Sequence, residues 1–263
     1  MNRSLISAAL AFLAGCGSSG NAALSKSFSY GAAQAPSASE QMAANSAQAS
    51  VSDTASFSAG ADAVRGAAIG ALAESLAAAA FGSTAFGVAH PSGSEISRAL
   101  RTATDFSSCT TVTANTVTFK DCAQTEGGYT VTLNGNISSN AGAVTWEISG
   151  GFSGTSSQAG IAINIHQSGT FTVTASKITG HSLSDFSGSV SAGGQSISFG
   201  FATAAVVDLT YQTSPVACIT GGTVEVKRVW TAKPPGAVGP LFDDLGVKLS
   251  WTGCGSVLVA HSQ

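Results

Sequence analysis

Residues 129–137 read YTVTLNGNI, with Tyr129, Val131, Leu133 and Ile137 on one side of a two-residue repeat and Thr130, Thr132, Asn134 and Asn136 on the other. Successive side chains of an extended chain point to opposite sides, so this alternation predicts a strand with one face buried and one face wet. The same period returns in Val144, Trp146 and Ile148, in Ile161, Ile163 and Ile165, in Phe171 and Val173, and in Ile197, Phe199 and Phe201. It continues through Val224, Val226, Val229 and Trp230 and through Val247, Leu249 and Trp251. Gly127-Gly128, Gly150-Gly151, Ser168-Gly169, Gly193-Gly194 and Gly221-Gly222 fall between these runs and are read as turns. Residues 104–263 are therefore expected to form an antiparallel β domain of about eight to ten strands in sequential order. One face of such a sheet is apolar and the other is Thr, Ser and Asn, so the meander must curl into an open half-barrel or sandwich, or be covered.

Upstream of the β region the texture changes. Residues 61–80 read ADAVRGAAIGALAESLAAAA, with Ile69, Leu72 and Leu76 on one stripe and Gly70, Glu74 and Ala77 opposite, which predicts a helix. Ser94 is placed to cap a short second helix through Leu100, so residues 61–103 are expected to be a helical segment. The stripe is narrow and the rest of the surface mostly methyl groups, which favours packing on the apolar face of the sheet over standing alone in water. The Gly66-x-x-x-Gly70 pair is the alternative signal for a membrane helix-packing face, opposed by Glu74 in mid-run. Residues 16–60 are Ala, Ser, Gly and Gln with scattered charges at Lys26, Glu40 and Asp53, and are expected to be a flexible tether.

The first twenty residues, MNRSLISAALAFLAGCGSSG, carry one positive charge at Arg3, an apolar run from Leu5 to Leu13, and small residues around a cysteine. That is the layout of a secretory signal, and the run is shorter than the about 20 residues a spanning helix needs. Leu13-Ala14-Gly15-Cys16 resembles the lipobox of bacterial lipoproteins. The resemblance implies a signal peptide over 1–15, a mature chain starting at Cys16, and acyl chains such as palmitate on that cysteine. Several acyl chains on one residue hold a protein to a bilayer where a single chain would not. In enteric members of the family an Asp after the cysteine retains the protein in the inner membrane. Gly17 stands there instead, so the resemblance implies the outer membrane of the cell envelope. The stretch from Gly221 to Gly255 is also similar in texture to β-rich envelope lipoproteins of environmental Gram-negative bacteria without an assigned activity, which transfers no catalytic residue.

Without residues 1–15, 10 basic residues face 14 acidic ones in 248 residues, with no basic cluster, which argues against nucleic acid as a partner. With Cys16 lipidated, Cys109, Cys122, Cys218 and Cys254 are left, an even number in an oxidising compartment. The stretch CTTVTANTVTFKDC folds symmetrically about residues 114–117, which puts Cys109 opposite Cys122 at the open end of a hairpin and leaves Cys218 to pair with Cys254. A metal site is disfavoured: there is no C-x₂-C pair, and His90, His166, His181 and His261 are scattered. No nucleophile elbow, P-loop, dinucleotide fingerprint, zinc-protease pair or calcium loop is present.

Asp243 and Asp244 sit in a loop after Lys233-Pro234-Pro235-Gly236 and read as a solvated turn rather than a catalytic pair. His166 and His181 lie on or beside strands without a partner at useful spacing. No catalytic residue and no cofactor is expected. The function expected from sequence is a non-enzymatic structural or binding role at the cell envelope, anchored to the membrane by N-terminal lipid. The alternative is a carrier or sensor of a hydrophobic ligand in a half-barrel, and third comes a hydrolase with no recognisable motif.

Overall fold

A computed structural model describes residues 19–48, apart from 39, 43, 46 and 47, and residues 108–263, apart from 114, 127, 128, 141, 156–158, 240 and 241. The two-residue repeats form ten strands: β1 (Thr110–Val112), β2 (Thr116–Glu126), β3 (Tyr129–Asn140), β4 (Ala143–Thr155), β5 (Ala159–Val173), β6 (Lys177–Ala192), β7 (Gln195–Gln212), β8 (Cys218–Ala232), β9 (Leu245–Gly253) and β10 (Ser256–His261). They make one open antiparallel sheet in sequential order, with β1 and β10 at its two edges and no closure into a barrel. The antiparallel meander expected from the period is what the chain forms.

The register sorts the strands into two faces. One carries Ile137, Val144, Trp146, Phe171, Ile178, Val207, Leu209, Val224, Val226, Val247, Leu249, Trp251, Val257 and Val259, all buried in one contiguous core. The other, here called the polar face, carries Thr130, Asn134, Thr145, Glu147, His166, Thr170, Asp185 and their row neighbours. Val229, expected to face the core beside Trp230, belongs to the polar face, where it meets an N-terminal helix described below. Side chains alternate along β8 between its two register shifts, from Gly221 to Trp230, so the two adjacent residues cannot share a face.

Four of the glycine signals expected as turns divide differently. Gly193 and Gly194 do form the tight β6–β7 turn, both with positive φ (58° and 78°), the geometry of a two-residue hairpin loop. Gly150-Gly151, Ser168-Gly169 and Gly221-Gly222 instead lie inside β4, β5 and β8. The strands are accordingly longer than the sequence reading allowed, up to 18 residues in β7. The reason is cross-strand complementarity: Trp146 pairs with Gly169, Phe171 with Gly180, and Phe199 with Gly188. A Cβ added at Gly169 would enter the Trp146 ring, and one at Gly188 would lie 2.6 Å from the Phe199 ring. Each ring lies over the bare backbone of the neighbouring strand, so the glycines are part of the core face and do not interrupt it.

The segment expected as a tether is folded where it is described. Helix α1 (Ser19–Ser25) lies on the polar face over β6, β7 and β8. Its Ala23 is fully buried against Ala202 and Ala204, with Leu24 packed on the same cluster. Three methyl-sized residues meeting face to face let helix and sheet approach closely, and this substitutes for a hydrophobic stripe that the sequence lacks. The chain then crosses to the β10 edge, where Tyr30 bridges Ser262 and Gln34 bridges Val259, both antiparallel. Beyond it, residues 38, 40–42, 44, 45 and 48 are helical. That turn starts with a capping box: the Ser37 N–H donates to Glu40 Oε2 (2.7 Å) and the Glu40 N–H to Ser37 Oγ (3.4 Å). Ala44 enters the main core from the apolar side, so the N-terminal segment touches both faces of the sheet. The helix expected around Ile69 to Leu76, and the helical segment 61–103 as a whole, lie outside the described residues.

Candidate functional site

The polar face holds a clustering of titratable groups that the sequence reading missed. His166 on β5 stands directly opposite Ser149 on β4 and Asp185 on β6. Its Nε2 is 3.5 Å from Glu147 Oε1 and its Nδ1 3.9 Å from Asp185 Oδ2, so the ring lies between two carboxylates from the flanking strands. Asp185 Oδ1 is buried and accepts no hydrogen bond from the described residues. Linear spacing could not have found this row, because Glu147, Ser149 and Asp185 are each 17 to 19 residues from His166 and meet it only through register. His181 on β6 sits opposite Thr170 on the same face and does not join it.

Below the row, toward the β4–β5 and β6–β7 turns, the same face opens into a groove of about 450 Å³ lined by hydroxyls of Thr130, Ser153, Thr155, Ser189 and Ser191, with Gly160 at its floor. The hydroxyls pair across strands elsewhere on this face as well, as in Thr125 with Thr130 (3.0 Å) and Ser138 with Thr145 (2.7 Å). Chemically the face offers donors and acceptors of low net charge. The imidazole–carboxylate separations are longer than the roughly 2.6–3.2 Å over which a general base takes a proton.

The cysteines are joined as Cys109–Cys122 (Cα–Cα 5.3 Å) and Cys218–Cys254 (Cα–Cα 5.4 Å). The route to the first pair differs from simple hairpin symmetry. The β1–β2 register matches Thr110 with Phe119 and Val112 with Val117, which continued would put Cys109 opposite Lys120. A bulge between Phe119 and Cys122, with Asp121 at φ 50°, carries Cys122 to the bonding position. Cys16 lies outside the described residues, as does His90. Among the described residues no three His, Cys, Asp or Glu side chains converge as a metal site.

Of the pair expected as a solvated turn, Asp243 is exposed, while the Asp244 carboxylate is engaged by its surroundings. Asp244 Oδ2 is paired with Lys26 Nζ at 3.1 Å and its Oδ1 accepts the Trp230 N–H at 3.0 Å. The Asp243 carbonyl accepts from Arg228 Nη2 at 3.3 Å. Arg228 is buried, its guanidinium 5.8 Å from the Trp230 ring. Burial pulls its pKa below the usual arginine value, and the charges of Asp244 and Asp243 oppose that. Trp230 begins an aromatic row on the apolar face, with Phe242 at 5.2 Å and Phe201 at 5.6 Å on either side and Phe186 stacked on Phe201 at 4.8 Å.

On the polar face the N-terminal segment is fixed by charge. Lys227 Nζ donates to the Leu24 carbonyl at the end of α1 (3.2 Å) and lies 3.4 Å from Glu225 Oε2. The Tyr30 hydroxyl donates to Glu225 Oε1 at 2.7 Å. Burial first, then the hydrogen bond and the charge of Glu225, hold the Tyr30 phenol well above its ordinary pKa. His261 Nε2 meets Glu40 Oε1 at 3.0 Å, joining the β10 edge to the capping box. Compared with protein families, curated proteins and solved structures, the chain matches none.

Proposed function

We propose that this chain is a lipid-anchored protein of the cell envelope, held at the outer membrane through Cys16, and that it works by binding rather than by catalysis. The observation that carries the binding role is the polar face itself. It is a broad hydroxyl-rich surface with a groove of about 450 Å³ and the Glu147–His166–Asp185 row, which together offer donors and acceptors to a polar partner. The anchoring half of the reading is supported by the lipobox resemblance of Leu13-Ala14-Gly15-Cys16. Among the described residues no helix is long and apolar enough to cross a membrane. Intact-mass analysis of the protein purified from membranes tests the anchor, with an acylated N-terminal Cys16 as the expected result. Crosslinking in intact cells through a photoreactive group at Ser189 in the groove tests the binding role. Products from the groove that are missing from a label at Val238 are expected, and identical patterns from the two positions would count against it.

A second reading, carriage of a hydrophobic ligand, is favoured by the aromatic row Phe186, Phe201, Trp230 and Phe242 on the apolar face. Native mass spectrometry separates the two. A carrier comes off the column with lipid mass in addition to the covalent acyl chains, and a protein that binds through its polar face does not.

A further inference from the structure

Resting on the lipidation of Cys16, we propose that the polar face of the sheet lies toward the bilayer and that its occupant is the phospholipid head-group surface. Three residues of chain lead from Cys16 to Ser19, where α1 begins. Extended chain covers at most about 3.3–3.6 Å per residue, so the helix starts within about 10 Å of the acylated cysteine. The helix is not free to swing. Ala23 is fully buried against Ala202 and Ala204, Lys227 bonds the Leu24 carbonyl, and Lys26 and Tyr30 tie the following residues to Asp244 and Glu225. A helix with its side chains is about 10–12 Å across, so the polar face beneath it is held within roughly 20 Å of the anchoring plane.

The chemistry of the face agrees with that occupant. Around α1 it presents the hydroxyls of Ser149 and Ser187 with the carboxylates of Glu147 and Asp185 and the imidazole of His166, and the cation of Lys177 is paired to Asp208 at 2.9 Å. Hydroxyls can donate to head-group phosphate and carboxylates can accept from head-group amines, and no large apolar area has to enter the acyl region. The opposite side of the sheet carries the capped helical segment with Ala44 in the core, so Asn45 on that segment points away from the bilayer in this orientation.

The test uses the mature acylated protein in vesicles of phosphatidylethanolamine and phosphatidylcholine that contain a nitroxide head-group lipid. The four cysteines of the domain are bonded in pairs and Cys16 is acylated, so one introduced thiol carries the fluorophore uniquely. Labels at Ser149→Cys and Ser187→Cys should be quenched at least threefold more than a label at Asn45→Cys. A Gly/Ser spacer of about 30 residues inserted before Ser19 should abolish the difference. Equal quenching at the three positions in protein with a confirmed acyl mass overturns the orientation while leaving the anchor intact. A difference that survives the spacer overturns the short leash as its cause. Protein that fails to float with vesicles and lacks the acyl mass overturns the lipidation reading, and this inference with it.

Discussion

Replacing Gly169 with Ala should destabilise the protein, although the position has an ordinary extended backbone that alanine can adopt. Gly→Ala at a permissive site gains about 0.4–1 kcal/mol by narrowing the unfolded ensemble. Here the new methyl would enter the Trp146 ring and lie 2.7 Å from the His181 carbonyl oxygen, so the ring has to move. Trp146 is 7% exposed and stacked on Phe171 at a centroid distance of 5.4 Å. Overpacking a core costs about 1–3 kcal/mol, and losing the stack adds about 0.5–1.5 kcal/mol. Offset by the entropic gain, the net is about 2 kcal/mol, or roughly 4–8 °C in Tm for a domain of this size. Chemical denaturation followed by tryptophan fluorescence measures it. The decisive arm is the double-mutant cycle with Trp146→Leu. The leucine removes the ring but leaves the His181 carbonyl contact, so Gly169→Ala should cost clearly less in that background, a coupling of about 1–2 kcal/mol. If Gly169→Ala is neutral or stabilising alone, or costs the same in both backgrounds, the ring-over-glycine account of the core is wrong.

Three other outcomes are expected. Tyr30→Phe should cost about 1–3 kcal/mol by urea denaturation, since it removes a hydrogen bond to a carboxylate. The raised phenol pKa also predicts a pH dependence: folded Tyr30 stays neutral, so its stabilisation is complete below about pH 10, the unfolded value, and is lost as pH rises above it. The difference between wild type and Tyr30→Phe should therefore shrink in strong base, and a constant difference would refute the assignment. Ser37→Ala should lower stability by about 1 kcal/mol through loss of the cap and raise amide exchange at residues 40–45, which hydrogen-exchange mass spectrometry reads. Cys109→Ala with Cys122→Ala should cost about 3 kcal/mol for a 13-residue separation, with protection lost first in β1 and β2 under the same exchange assay.

The apolar and polar faces were legible because alternation depends only on neighbours in the chain. β3, the first half of β4 and β7 could be read in that way. β6 could not, because its core-facing positions include Gly180, Ser182, Ser184 and Gly188. The two serines are buried and the two glycines lie under rings from other strands, so the apolar signal of β6 is carried by its neighbours. For the same reason internal glycines imitated turns. The His166 row was invisible because register, which no local window contains, assembles it. The folded N-terminal segment left one local trace, the Ser37-x-x-Glu40 capping box, inside a composition that otherwise reads as spacer. Its other determinants, Ala23 against Ala202 and Tyr30 against Glu225, are pairings between the two ends of the sequence.

That last arrangement also bears on how the chain reaches its final state. Tyr30 and Gln34 are made more than 200 residues before the backbone they pair with, Ser262 and Val259. Until then the early segment has nothing to bind, and afterwards it occupies the free rim of β10, where unpaired N–H and C=O groups would otherwise invite a strand from another molecule. Contacts so distant in sequence form late, because the loop they close is costly before any contact rewards it. The fastening thus covers an edge: a chain in which residues 30–34 were detached would present β10 as an open rim to any strand nearby.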